Sequence, residues 1–197
     1  MRVLITGATG LVGSNLAKKC IKKGFDVNYL TTSKDKIENK PNYKGFYWDP
    51  TKKEIDERCL NDVDAIIHLA GASIAKRWTS SYKEEIIDSR VETAKLLFNS
   101  LKSSSKTISQ FISASAIGIY PSSLQKLYTE DESNTDESFL AEVVEKWEAA
   151  ADIFKELNIK VAKVRTGLVL AKDGGALQKM KEPADFNLGA AFGSGKQ

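Results

Sequence analysis

A glycine-rich turn near the amino terminus is the feature that most constrains the fold. Gly7, Gly10 and Gly13 form this turn. It follows an apolar run, Arg2 to Thr6, and it precedes a segment of helical periodicity, Leu11 to Lys23. Between a strand and a helix, such glycines allow a tight bend, close approach of a ligand to the backbone, and close packing of helix on strand. Because free N–H groups at a helix start favour anions, the turn predicts a site for the diphosphate of a dinucleotide.

Short apolar runs alternate with longer helical segments along most of the chain. The runs predicted as strands are Arg2 to Thr6, Val27 to Thr31, Ala65 to Leu69, Ser109 to Ala114 and Lys160 to Val164, with a shorter edge strand at Gly45 to Trp48. The segments predicted as crossover helices are Leu11 to Lys23, Ser80 to Lys102 and Phe139 to Leu157. Parallel strands need such crossovers, so the sequence predicts an α/β fold with a doubly wound parallel sheet of the Rossmann type.

Composition and charge narrow the class of protein. The 197 residues, 42% of them hydrophobic, are enough for one sizeable core. The net charge of +3 is too small for a nucleic-acid footprint, so no nucleic-acid partner is expected. Cys20 and Cys59 are isolated and lack metal-ligand spacing, which favours reduced thiols and no metal site. No apolar run has the length of a signal peptide or a membrane span, so we expect a soluble cytoplasmic protein.

The loop after the second predicted strand bears on the choice of cofactor. Folds of this type that bind NAD place a carboxylate there to hold the ribose 2′-hydroxyl. This chain instead has Thr31, Thr32 and Ser33, followed by Lys34. Hydroxyl groups and a lysine suit a 2′-phosphate better than a carboxylate does. The sequence therefore favours NADP, with NAD as the alternative.

Several segments resemble the extended, epimerase-like short-chain dehydrogenases/reductases. They are Gly7 to Gly13, His68 to Gly71 and Ser113 to Tyr120. Further segments are similar to an atypical branch of the NAD-dependent epimerase/dehydratase group, the sugar-nucleotide epimerase-like proteins. These are Arg77 to Thr79, Lys83 to Thr93, Phe139 to Ala141, Trp147 with Glu148, and Asp173 to Leu177. The resemblance covers essentially the whole chain.

The resemblance implies a set of contacts with the cofactor. It places Gly7, Thr9, Gly10, Leu11 and Val12 at the diphosphate, Leu69, Ala70 and Gly71 at the adenosine, and Ser113, Ala114 and Ser115 under the nicotinamide. Gly13 and the loop residues Thr31, Thr32 and Ser33 complete the predicted cofactor-binding residues.

The resemblance also indicates which catalytic groups are present. Ser115 matches the family's catalytic serine, but the positions implied for the usual tyrosine and lysine lie at or near Leu140 and Val144. Neither of these side chains can transfer a proton, which removes an important general acid/base. Tyr120 is the predicted substitute proton donor, with packing as the alternative. His68, at the end of a strand, is predicted to pack rather than to catalyse.

Three cations are candidate substrate ligands. Lys83 and Arg90 are seven residues apart, which predicts one helix face. They would either bind a phosphorylated substrate or pair with Glu84 and Glu92 in solvent. Arg165, placed just beyond the last predicted strand, would reach substrate or cofactor.

These observations predict an NAD(P)-binding domain over residues 1–170 and the start of a C-terminal substrate-side segment over residues 171–197. Because the resembled branch continues beyond this point, we expect an incomplete substrate lobe and a truncated chain. The expected function is an NADP(H)-dependent oxidoreductase or epimerase-like enzyme for a small polar substrate, nucleotide-linked or free. The missing tyrosine and lysine support a second hypothesis, a nonenzymatic NADP(H)-binding sensor or regulator. The sequence indicates neither the substrate nor the oligomeric state.

Overall fold

The computed structural model describes residues 1–172 and 174–189. Its α-helices are α1 (Leu11–Lys22), α2 (Ser80–Ser103), α3 (Phe139–Asp152) and α4 (Ala176–Asp185). Its strands are β1 (Arg2–Thr6), β2 (Asp26–Thr31), β3 (Asn39–Lys40), β4 (Tyr43–Asp49), β5 (Glu54–Ile55), β6 (Ala65–His68), β7 (Gln110–Ala116), β8 (Lys160–Thr166), β9 (Leu170–Ala171) and β10 (Gly174–Gly175). Asp173, which belongs to a segment named above, and the tail 190–197 lie outside the described residues.

The main sheet has the strand order β3-β4-β2-β1-β6-β7-β8. All neighbours from β4 to β8 pair in parallel, whereas β3 and β5 pair antiparallel with β4. The short strands β9 and β10 form a separate antiparallel pair. Helices α1, α2 and α3 connect successive parallel strands, so the predicted doubly wound α/β fold is confirmed.

Alternation along β1 divides the core between the two faces of the sheet. Leu4 faces the cluster built with α2 and α3, and Val3 and Ile5 face the cluster built with α1. On the first face, the rings of Phe111 and Phe154 stack with centroids 3.6 Å apart. Because the strands pair in parallel, their carboxyl ends meet at one edge, where the candidate site lies.

The strand predicted at Gly45 to Trp48 is longer and less peripheral than expected. It runs from Tyr43 to Asp49 and pairs in parallel with β2, with only two-residue strands beyond it. A Cβ at Gly45 would lie 2.6 Å from Cζ of Tyr29, so glycine permits close contact with that ring. As a result, the carboxyl end of β4 reaches the same edge of the sheet as β1 and β2.

The third predicted crossover helix is shorter than the sequence indicated. Its α-helical part ends at Asp152, and a 3₁₀ turn, Ile153–Leu157, continues the chain. Asn158 follows with a left-handed φ of 57°, which ends the helical segment. Helical periodicity alone does not distinguish the tighter last turn from an α-helix.

Neither cysteine lies in a metal-ligand cluster within the described ranges, where no group of three or more His, Cys, Asp or Glu side chains has suitable geometry. Cys20 and Cys59 are free, buried thiols. Burial raises the pKa of Cys59 to about 12. In the same part of the chain, none of the helices combines the length and the apolarity needed to cross a membrane.

Candidate functional site

A cleft of about 970 Å³ lies at the carboxyl ends of β1, β2, β4 and β6, with α2 along one wall. Ligands of open parallel sheets bind at this edge. The predicted cofactor-binding residues that line the cleft are Gly7, Thr9, Thr31, Thr32, Ala70 and Gly71. The fold therefore brings residues from three distant parts of the sequence to one site.

The three glycines of the first turn have different structural tasks. Gly7 has a φ of +69°, and a Cβ there would lie 3.0 Å from the carbonyl of Leu69. A Cβ at Gly13 would lie 2.1 Å from O of Gly7, so the backbone itself requires glycine at both positions. Gly10 differs, because its nearest protein atom would be 3.3 Å away and its φ is −86°. Its bare surface is therefore available to a ligand that approaches the backbone.

The start of α1 differs from the starts of the two other crossover helices. Thr79 caps α2 by accepting a hydrogen bond from the N–H of Tyr82, and Ser138 caps α3 in the same way. Helix α1 begins after Gly10 with no side-chain cap and no acidic residue in its first turn. The first-turn N–H groups of a helix have no intrahelical acceptor. An anion such as a diphosphate can therefore bind here.

A hydrogen-bonded chain holds the loop after β6 against β1. The hydroxyl of Thr6 accepts bonds from the N–H groups of Leu69 and Ala70, both at 3.0 Å. The same hydroxyl lies 2.9 Å from Nδ1 of His68, and Nε2 of His68 lies 3.3 Å from the hydroxyl of Thr93 on α2. This chain fixes the backbone that lines the predicted adenosine side of the cleft.

His68 is fully buried, in agreement with its predicted packing role. Burial lowers its pKa from 6.5 to about 4. The imidazole is therefore neutral near pH 7 and links β1, β6 and α2 by hydrogen bonds.

Ser115 belongs to a buried network centred on Glu148. Its hydroxyl donates to Oε1 of Glu148 at 2.6 Å. Arg165 binds the same carboxylate with two nitrogens, Nε to Oε1 at 2.8 Å and Nη2 to Oε2 at 3.0 Å. Lys163 adds a contact of 3.3 Å. Ser115, which matches the family's catalytic serine, therefore directs its proton to a carboxylate, and it must release that partner before it can donate to a substrate.

Charge compensation explains how Glu148 is tolerated in the interior. Burial by itself would raise the pKa of this carboxyl. The hydrogen bonds from Arg165 and Ser115, together with Lys163, outweigh burial and lower the pKa to about 2. Glu148 is therefore ionised at neutral pH and is a stable acceptor for the serine.

Arg165 is placed differently from the sequence prediction, and Tyr120 is bound to it. Arg165 lies within β8, not beyond it, and its guanidinium is engaged by Glu148. Tyr120 follows β7, which ends at Ala116, after a 3₁₀ turn over Ile117–Ile119. The phenol of Tyr120 accepts from Nη1 of Arg165 at 2.7 Å and donates to O of Thr129 at 3.0 Å. The hydroxyl that was expected to move a proton is thus joined to the network of Glu148.

The predicted pairing of Lys83 and Arg90 toward a phosphorylated substrate is wrong for Arg90. Arg90 is only 9% exposed and lies over the ring of Trp147, at 4.9 Å from its centroid. Lys83 lies over the ring of Phe139, at 4.8 Å. The solvent alternative is also wrong for Arg90, since Glu92 pairs with Lys95. Arg90 is therefore part of the packing between α2 and α3.

The remaining predicted cofactor residues do not line the cleft; they are Gly10, Leu11, Val12, Gly13, Ser33, Leu69, Ser113 and Ala114. Val12 is exposed on α1. Ser113 is buried, and its hydroxyl donates to O of Ala114 at 2.9 Å. Ser33 donates to Asp35 at 2.5 Å. Their contacts with a cofactor stay predictions.

Two parts of the site were missed from the sequence. The end of β4 and the segment after it contribute cleft residues, namely Tyr47, Trp48, Asp49, Pro50, Thr51 and Lys53. A full-length parallel strand beside β2 would have predicted this contribution, because its carboxyl end reaches the binding edge. The role of Glu148 at the centre of a polar network was also missed, although a glutamate on the apolar face of a predicted helix signals a buried partner.

Comparison with known proteins agrees with this geometry. Residues 3–145 match the model of the NAD dependent epimerase/dehydratase family. The epimerase family protein SSP1921 of Staphylococcus saprophyticus is 40% identical over 194 residues, which are 98% of this chain and 64% of that protein. This chain thus spans somewhat less than two thirds of the length of that relative.

Solved structures show the same fold. The human epimerase family protein SDR39U1, crystallised with NADPH, superposes with a TM-score of 0.79 at 28% identity, over 100% of this chain and 64% of that one. A nucleoside-diphosphate sugar epimerase from Corynebacterium glutamicum has the same TM-score at 33% identity, over 99% of this chain and 39% of that one. The glycine turn, the uncapped helix start and the family match over residues 3–145 lead to one conclusion: this chain belongs to the NAD dependent epimerase/dehydratase family.

Proposed function

We propose that this chain is the cofactor-binding part of an NADP(H)-dependent oxidoreductase or epimerase-like enzyme. The observation that carries the proposal is the start of α1, which has no side-chain cap, no acid in its first turn, and a bare Gly10. These features fit a diphosphate, which would bind the first-turn N–H groups. The dinucleotide would supply or accept hydride, while Thr6 and His68 hold the adenosine-side loop in place.

The preference for NADP over NAD rests on the loop after β2. Thr32 is exposed and lines the cleft, and the ammonium of Lys34 lies 4.9 Å from the ring centroid of Tyr47, which also lines it. The nearby carboxylate of Asp35 is engaged by the hydroxyl of Ser33. A 2′-phosphate near Thr32 would therefore have a hydroxyl and the ammonium of Lys34 as favourable neighbours. The relative SDR39U1 was crystallised with NADPH, which supports the same preference.

Native mass spectrometry of the purified chain tests the binding proposal. We expect a bound dinucleotide, either carried through purification or restored by an excess of NADPH. If neither the purified protein nor the protein with excess NADPH shows a complex, the proposed function is wrong.

Calorimetric titration with each of the four nicotinamide dinucleotides tests the preference. Thr32→Asp should weaken NADP binding by charge repulsion and shift the preference toward NAD. The neighbouring Thr31 is buried, so it offers no comparable position for a carboxylate. Tighter binding of NAD than of NADP by the unmodified chain would overturn the NADP assignment.

The substrate we propose is a small polar molecule, nucleotide-linked or free, and Ser115 is the proposed donor to its reacting oxygen. For that role Ser115 must leave Glu148, its partner at 2.6 Å. Such a donor can contribute about a hundredfold in rate. NADPH consumption with a panel of nucleotide sugars and small carbonyl compounds tests this reaction class.

A second candidate function, a nonenzymatic sensor of NADP(H), is favoured by two features. The family resemblance puts Leu140 and the buried Val144 at or near the positions of the usual tyrosine and lysine, and the proton of Ser115 is already committed to Glu148. A sensor needs the cofactor site but no proton transfer. Tight NADPH binding without turnover of any substrate in the panel would favour the sensor over the enzyme.

A further inference from the structure

Arg90 is a buried cation without a carboxylate partner in the part of the chain that the structure describes. It is 9% exposed, and its Nη1 and Nη2 donate to the carbonyl oxygens of Ile86 at 2.8 Å and Ala72 at 3.2 Å. Its Nε is buried and has no hydrogen-bond partner among the described residues. Buried charges in proteins are usually paired, because desolvation of a lone charge is costly. This arginine therefore has a charge that the described protein groups leave unbalanced.

The same side chain supports the backbone that lines the cleft. A Cβ at Gly71 would lie 3.0 Å from Cζ of Arg90, so the guanidinium packs tightly against the backbone of Gly71. The N–H of Ala72 donates to Oγ of Ser89 at 2.8 Å, while the carbonyl of Ala72 accepts from Arg90. Ala70, Gly71 and Ala72 all line the cleft. Arg90 thus lies directly behind the wall that a bound dinucleotide would face.

Most of the charged side chains that line the cleft are acidic, so a positive charge behind its wall affects the binding of an anion. The carboxylates that line it are Asp49, Glu84, Glu85, Asp88 and Glu92, and Lys53 is the only cation among the described lining residues. These acids oppose the binding of a diphosphate. A positive charge behind the loop, in a region from which water is largely excluded, acts over several ångströms with little screening.

We propose that Arg90 is a positioning residue for the dinucleotide, which holds the Gly71–Ala72 loop and supplies a buried positive charge that favours the diphosphate. This inference rests on the proposed function, because it assumes that the cleft binds a dinucleotide. It assigns Arg90 no contact with substrate and no step in the reaction.

Binding measurements with charged and neutral ligands separate charge from loop support. Arg90→Met removes the charge at similar volume, a change that buried sites often tolerate. We expect its Kd for NADPH and for ADP to rise about fivefold by loss of both the Coulombic attraction and the bond to Ala72, and its Kd for adenosine to rise less than about twofold by loss of that bond alone. Arg90→Lys should restore most of the affinity for ADP. Lys102→Met, an exposed change on the same helix, should alter each Kd less than about twofold.

Each outcome decides one question. If the unmodified chain binds neither NADPH nor ADP, the proposed function fails. If it binds them and Arg90→Met leaves the Kd for ADP unchanged, this inference alone is overturned. Equal weakening of ADP and adenosine would also overturn it, since that result indicates loop support without a charge effect. Circular dichroism checks folding, and Arg90→Gln, which keeps a donor for Ala72, replaces Arg90→Met if the latter does not fold.

Discussion

The hydroxyl of Ser115 donates to Oε1 of Glu148 across 2.6 Å, and both side chains are buried. This bond joins the serine that the family resemblance marks as catalytic to a carboxylate on α3. Because Arg165 and Lys163 neutralise that carboxylate, the network has both a structural and a functional consequence.

Glu148→Gln should destabilise the fold strongly. It removes the negative charge that faces Arg165 and Lys163, and breaking a buried ion pair in this way costs about 3 kcal/mol or more. Urea unfolding near pH 7 measures the change. The exposed Glu145→Gln on the same helix should change the unfolding free energy by less than about 0.5 kcal/mol. Equal stabilities for the two variants would contradict the account of this network.

The pH dependence of the same variant provides a second check. The folded-state pKa of Glu148 lies below its usual value of 4.5, at about 2. The contribution of ionised Glu148 to the unfolding free energy is therefore complete above pH 4.5 and is lost as the pH falls toward 2. Glu148→Gln has no such carboxyl group, so its unfolding free energy should decrease less between pH 4.5 and 2. Urea unfolding at several pH values measures this difference.

Ser115→Ala should cost about 2 kcal/mol of unfolding free energy, because it removes a hydrogen bond to a buried charged group. The cofactor affinity should stay at the unmodified value, while turnover of any substrate found should fall. Ser109→Ala is the matched control, since that exposed serine donates to a neutral carbonyl, O of Asp64, at 2.9 Å. Unchanged turnover in Ser115→Ala would remove the catalytic role and favour the sensor.

His68 should make stability depend on pH between about 6.5 and 4. In the unfolded chain His68 is protonated below about pH 6.5, whereas the buried imidazole of the folded chain is protonated only below about pH 4. The unfolding free energy therefore decreases as the pH falls through this window, by up to about 3 kcal/mol. As the chain has a single histidine, His68→Gln should flatten this part of the profile. Identical slopes in the two proteins would show that the imidazole titrates normally.

Gly13→Ala should destabilise the fold far more than Gly10→Ala does. A methyl group at Gly13 would lie 2.1 Å from O of Gly7, so the turn must distort and the protein should lose several kcal/mol. At Gly10 the nearest atom is 3.3 Å away, so the substituted chain should remain folded with a Tm within a few degrees of the unmodified value. Thermal unfolding of both variants measures the difference, and equal losses of stability would be incompatible with this turn geometry.

Local patterns were sufficient to predict the parallel sheet and the glycine turn. The run from Arg2 to Thr6 and the helical spacing after Leu11 each encode one element, and the crossover rule then determines the topology. The position of β4 was predicted less well, since Gly45 and its aromatic neighbours indicate an edge strand until their packing on Tyr29 is known.

Side-chain partners in the site could not be predicted in this way. Arg90 and Lys83 do share a helix, but whether a cation faces solvent or the interior depends on α3, which supplies Trp147 far along the chain. The partner of Ser115 is likewise 33 residues away. Such pairings depend on tertiary packing, to which sequence periodicity is insensitive.

The most direct test of the central claim is a calorimetric titration of the unmodified chain and of Gly10→Val with NADPH. The account predicts saturable binding to the unmodified chain and no measurable binding to the variant, because the added side chain occupies the surface at the start of α1 that the diphosphate would approach. Both proteins should show the same circular dichroism spectrum. Equal NADPH affinity in the two folded proteins would contradict the account.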